Sequence, residues 1–194
     1  MARPVDLAAE RAIATSAVRR KHLIDLTSRY GILMLTIMEW VGISRVRIEG
    51  DHFVPDDNGI EMVIIICWSA PPRLLDGSWQ APEPIDLLAF RLEEPGRWWS
   101  RVGIVTALGV KLVSDLSDAP IRIWKTPLQW LQAGGAGICL TTRDDGASQH
   151  VLCRLPTSPV AMDVEHGREL DRIRTRCWTQ YPPILVADPE GDDR

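Results

Sequence analysis

The chain has 194 residues, of which 45% are apolar and 25% charged, with a net charge of −4. That length is expected to form one domain with a sizeable core, removing roughly 70% of the unfolded chain's surface from water. No apolar run reaches the ~18 residues that would suggest a membrane span, and the N-terminal Met-Ala-Arg-Pro-Val-Asp lacks the apolar stretch of a secretory signal, so a cytoplasmic protein with no membrane partner is expected.

The four cysteines, Cys67, Cys139, Cys153 and Cys177, are widely spaced, form no Cys-x-x-Cys pair and mostly sit in apolar runs. They read as buried free thiols, not as a zinc site. Charge is uneven along the chain. Residues 1–50 hold eight Lys and Arg against five Asp and Glu, while the remainder hold fourteen against twenty-one. A basic contact surface near the N-terminus follows, well short of the strongly basic domain typical of nucleic-acid binders. Arginine outnumbers lysine nineteen to three, and Asn58 is the single asparagine, a pattern read as the coding bias of a GC-rich bacterial genome.

In chain order, residues 5 to about 40 begin as a helix. Leu23, Leu26, Tyr30, Leu33, Ile37 and Trp40 recur at spacings of three and four. Ile32–Met38 is nearly all apolar and also fits a buried strand, with Gly31 as the break. Residues 45–68 predict a β-hairpin. Arg45–Glu49 alternates, Pro55-Asp56-Asp57-Asn58-Gly59 supplies a turn with positive φ, and Ile64-Ile65-Ile66 suits a strand covered on both faces. Pro71, Pro72, Gly77, Pro82 and Pro84 mark 69–84 as a loop. Strands over 85–92 and 97–105 flank a turn at Glu93–Gly96, completing an antiparallel meander.

A helix is predicted over 106–117 and a strand over 121–124. Thr126-Pro127 opens a short helix that Gly134-Gly135 closes. Strands follow at 137–142 and 149–155. Asp163 caps a helix over 164–176, and Ile184–Ala187 forms a last strand. The acidic residues 188–194 are expected to be a disordered tail. The expectation is an α+β fold with an antiparallel or mixed central sheet and packed helices, a single compact domain over 1–187.

Two groups of residues carry what chemistry the sequence offers. Glu49-Gly50-Asp51 and Arg143-Asp144-Asp145-Gly146 each follow a strand. In that order they are similar to the acidic motifs of toprim domains, which hold Mg²⁺ for phosphoryl transfer. Their separation is long, the second lacks Asp-x-Asp, and Asp-Gly after a strand is also ordinary turn chemistry. Asp86 with Lys125 is a second, nuclease-like pairing that lacks the acid two residues before the lysine, where Ile123 sits. His52 among Asp51, Asp56 and Asp57 offers a hairpin-tip cation site, against the simpler reading of a solvated acidic turn. Nothing resembles a nucleophilic triad or a phosphate loop.

The other group is basic and aromatic. Arg19-Arg20-Lys21 is the dense basic run, and Arg97-Trp98-Trp99-Ser100-Arg101 sets two tryptophans between arginines. Such platforms suit single-stranded nucleic acid or a protein partner, and core packing is the plain alternative.

Ile85–Phe90, Gly96-Arg97-Trp98-Trp99, Thr126–Gly135 and Glu165–Leu170 together resemble uncharacterised prophage and mobile-element proteins of alphaproteobacteria, over residues 85–187. The resemblance implies an accessory protein near replication or anti-defence functions, with no activity to carry over.

The leading expectation is therefore a non-enzymatic accessory protein that needs no cofactor. It would bind a protein or a nucleic acid through Arg19, Arg20, Lys21, Arg97, Trp98, Trp99 and Arg101, and self-association stays open. The alternative is a Mg²⁺-dependent enzyme acting on phosphodiesters through Glu49, Asp144 and Asp145.

Overall fold

The structure, a computed structural model, describes residues 5–69, 73–75, 78–80, 83–110, 120–157, 159–175 and 184–186. Its class is α+β, as expected. Contacts cluster the chain into two compact units, Met1–Val105 with Leu131–Gly134, and Thr106–Trp130 with Gly135–Arg194.

The first unit opens with helices. Asp6 caps α1 (Leu7–Ser16) by accepting from Ala9 N–H at 3.0 Å. Next come α2 (Arg20–Ile24), a π-helical turn (Asp25–Arg29) and α3 (Met34–Trp40). A helix was expected to open this segment, with Gly31 as its break and either helix or strand beyond. Gly31 at φ 67° breaks it, and Ile32–Met38 passes into helix, not strand. Its buried residues Thr36, Ile37 and Trp40 follow helical spacing.

Strands β1 (Val41–Glu49), β2 (His52–Pro55), β3 (Ile60–Trp68), β6 (Pro84–Arg91) and β7 (Glu94–Ser100) close a barrel in the order β1-β2-β7-β6-β3. The expected meander is present in its β3-β6-β7 pairings, which are antiparallel. The single parallel pairing, His52 with Ser100, closes the ring and removes the free edges. The hairpin turn lies at Asp56–Gly59, where Asp56 Oδ1 accepts from Asn58 N–H at 2.9 Å.

Gly59 is required there for a different reason from the one its Asn-Gly pairing suggests. A Cβ on Gly59 would lie 2.3 Å from the Val46 carbonyl oxygen. The second turn falls at Leu92–Glu93, so Pro95 and Gly96 belong to β7. Part of the expected loop over 69–84 is a small antiparallel hairpin, β4 (Arg73–Leu75) with β5 (Ser78–Gln80).

β3 is buried at every position from Met62 to Trp68, as its isoleucine run predicted. Helix α1 packs on β1 and β6. The approach is close enough that a Cβ on Gly42 would stand 2.7 Å from Ala14 Cβ. Arg101 anchors α1 from the barrel side, donating to both oxygens of Glu10 at 2.8 and 2.9 Å. Buried Asp86 gathers the chain after β7. It accepts N–H bonds from Leu87, Val102, Gly103 and Ile104 and the Ser100 hydroxyl, all between 2.7 and 3.0 Å.

The second unit has the sheet order β12-β11-β9-β10-β8. Its strands are β8 (Ala107–Leu108), β9 (Ile121–Trp124), β10 (Ile138–Leu140), β11 (Pro159–Ala161) and β12 (Leu185–Val186). All pairings are parallel except that of β8 with β10. Helices α4 (Pro127–Gln132), α5 (Asp145–Leu152) and α6 (Val164–Arg174) occupy the connections. Ile121, Ile123, Ile138, Val151, Leu152, Leu170 and Ile173 form its core.

Two expectations are corrected here. Residues 107–108 are strand where a helix was expected, and 111–117 of that helix lie outside the described residues. Residues 149–152 belong to helix α5, not to a strand. Asp144 caps it, accepting from Gly146 N–H at 2.7 Å, and Ser148, Val151 and Leu152 are buried at helical spacing. The short helix after Thr126 and the helix capped by Asp163 are present as predicted. Cys67 and Cys139 are buried free thiols, with their pKa values pushed up by burial. Cys177 and the tail 188–194 lie outside the described residues. Among the described residues no helix is long and apolar enough to cross a membrane.

Candidate functional site

The basic and aromatic residues picked out in the sequence all belong to the first unit, and most are turned to internal use. Arg101 holds Glu10. Trp99 is buried in the barrel wall, and the Arg97 guanidinium stacks over it at 5.4 Å. Lys21 reaches Glu61 at 3.5 Å. Trp98 is half-buried, while Arg19 and Arg20 are exposed. Nearby strand cations are matched by acids. Arg47 pairs with Glu49 and with Asp56 at 3.0 Å, and Arg91 lies 3.6 Å from Glu94. The Asn58 N–H and then Arg47 hold the Asp56 carboxyl below its usual range.

The acidic set is divided between the units. Glu49 ends β1 of the barrel and is ion-paired with Arg47. Asp144 and Asp145 follow β10 in the other unit, where Asp144 caps α5 and Asp145 faces Arg172 at 3.2 Å. Asp86 and Lys125 are divided in the same way. Among the described residues no group of three His, Cys, Asp or Glu side chains is placed to hold a metal ion.

The carboxyl ends of β9, β10 and β11 share one edge of the second unit's sheet, and the chain passes to opposite sides of β9 there. Ligands of parallel sheets favour such an edge. In this chain its polar groups answer one another. Lys125 Nζ, after β9, lies 2.6 Å from Asp163 Oδ2, after β11. Asp163 Oδ1 accepts from His166 N–H at 2.8 Å. That N–H and then Lys125 keep the Asp163 carboxyl below its usual range. His166 is buried, and its Nδ1 accepts from Met162 N–H at 3.2 Å. Burial, and then the Lys125 charge, lower its pKa from 6.5 to about 4, so the ring is neutral near pH 7.

The feature that sequence reasoning missed is on α3. Successive helix positions turn by about 100°, so Met34, Leu35 and Met38 share one face and Thr36, Ile37 and Trp40 the opposite one. The second face packs on β1 and β3 and is fixed by Trp68 Nε1 donating to Glu39 O at 3.1 Å. The first face points to solvent. Met34 is 46% exposed, Leu35 58% and Met38 74%, with Leu33 at 62% just before them.

The chain matches no family model, no curated protein and no solved structure. A helix apolar all round is normally buried all round. The signal was present in part, since Met34, Leu35 and Met38 fall outside the stripe that Ile37 and Trp40 continue, while Leu33, read as a member of that stripe, is exposed instead. It was masked because the same run also fitted a buried strand.

Proposed function

We propose that the protein acts by binding another protein, as a non-enzymatic accessory protein, and that the outward stripe of α3 is the contact. Within the same proposal the role belongs to a phage or mobile element, a context supported only by the resemblance noted for residues 85–187. One observation carries the reading: four large apolar side chains within Leu33–Met38 stand in water on a helix whose other face is already packed. Contiguous exposed apolar surface marks interaction sites, and flexible Met and Leu adapt well to a partner's aliphatic side chains. A protein partner is favoured over nucleic acid because Lys21, Arg97 and Arg101 are engaged within the first unit.

The test compares capture from nuclease-treated bacterial lysate by the wild-type protein and by Leu35→Glu/Met38→Glu. A protein retained after nuclease, lost on the double substitution and kept on Arg19→Ala/Arg20→Ala supports the reading. Capture abolished by nuclease, or unchanged by the double substitution, overturns it. Sedimentation of the purified protein is the control, since self-association lost on the same substitution would make the occupant a second copy.

A further inference from the structure

A groove in the first unit lies between the π-helical turn and the barrel. Its floor is apolar, formed by Leu26, Ile43, Met62 and Leu92, and its rim carries the carboxylates Asp25, Glu61 and Glu93. Arg91 lines it too, but is drawn to Glu93 at 4.0 Å and Glu94 at 3.6 Å. Lys21 approaches Glu61 on an exposed side chain. The rim therefore has more acid than base.

At its inner end is His22, only 8% exposed. His22 Nδ1 accepts from Arg19 N–H at 3.1 Å, which leaves the proton of the neutral ring on Nε2. That Nε2 is buried and makes no well-aligned hydrogen bond. Glu61 Oε1 stands 3.3 Å away, off the N–H direction, and the same oxygen is approached by Lys21 at 3.5 Å. A buried donor left unpaired is costly, and a small rotation of the Glu61 carboxylate would satisfy it. Burial acts to raise the Glu61 pKa, but the charged groups beside it, Lys21 foremost, bring it below its usual value, so the carboxylate stays charged.

We propose that this groove binds an ammonium or guanidinium group carried on an aliphatic stem. The cation sits between Glu61, Asp25 and Glu93 and displaces Lys21. The stem lies on Leu26 and Met62, as long basic side chains do on apolar surface. Freed from Lys21, Glu61 turns Oε1 onto His22 Nε2–H, making His22 a positioning residue. The inference goes beyond the protein-binding reading and is independent of α3. Its ligand is either a basic side chain of a polypeptide or a free amine.

The experiment titrates the full chain with agmatine, with a blocked pentapeptide of one arginine among glycines, and with a blocked norleucine control. Binding is read by calorimetry, and the His22 ring N–H by nitrogen-resolved NMR. The expected result is saturable binding of agmatine or the arginine peptide, none of norleucine, and a downfield, slowly exchanging His22 Nε2–H in the complex. Preference for the peptide identifies a polypeptide ligand, and preference for agmatine a free amine. Glu61→Gln weakens binding by about tenfold or more, and Asp25→Asn weakens it as well with the His22 signal retained. Absence of saturable binding, equal binding of norleucine, or binding that leaves the His22 signal unmoved overturns the proposal. None of these outcomes bears on capture through α3.

Discussion

At the scale of single residues, Asp86 and His166 are buried polar groups that make measurable demands on the fold. Asp86 gathers the backbone after β7 with four N–H bonds between 2.8 and 3.0 Å and a hydroxyl at 2.7 Å. Hydrogen bonds to a charged group are each worth about 1.5–3 kcal/mol. Asp86→Asn should therefore cost at least ~3 kcal/mol in urea unfolding, with faster amide exchange at 102–104. The sequence placed Asp86 on a strand and suggested a nuclease role. Its partners come from a loop many residues later, a contact no local pattern reveals.

His166 makes the opposite demand. Its folded pKa is lowered from 6.5 to about 4, so the unfolded chain takes up a proton first as pH falls. The stabilisation is complete above about pH 6.5 and is lost progressively down to about pH 4, by on the order of 3 kcal/mol. His166→Gln should flatten the fall in urea midpoint over that window. An unchanged slope would remove His166 as its source.

At the scale of elements, caps and turns were legible and faces were not. Thr126, Asp163 and the glycines after α4 marked their helices because capping depends on residues within one turn. The Asn-Gly turn was placed correctly, although Gly59 serves to admit the Val46 backbone and not a positive φ. Residues 149–155 were read as a strand and 32–38 as helix or strand, because short runs of this kind fit both and packing decides between them. Helix α3 gives the sharpest contrast. Ile37→Ala, on the packed face, should cost about 2–4 kcal/mol in denaturant unfolding. Leu35→Glu and Met38→Glu, on the outer face, should each stay within about 0.5 kcal/mol. Equal losses on both faces would mean that the outer stripe is packed within the monomer.

At the scale of the whole molecule, the α+β class followed from alternating helix and strand signals, but the closed barrel and the parallel sheet did not. Barrel closure rests on the single His52–Ser100 pairing between strands far apart in sequence. Strand order in the second unit likewise depends on long-range pairing. The candidate site suffered most from this. Lys21, Arg97 and Arg101 drew attention as free charges, yet each finds a partner only once the first unit is folded. The α3 stripe was visible as residue types but not as exposure. Since the protein-binding role rests on that stripe, the most direct measurement is a photo-crosslink from it. A photoreactive residue placed at Met38, with a control at exposed Val164, is irradiated in nuclease-treated lysate. Protein adducts from position 38 and none from position 164 are the predicted result. No adduct from position 38, or the same adducts from both positions, would contradict the account.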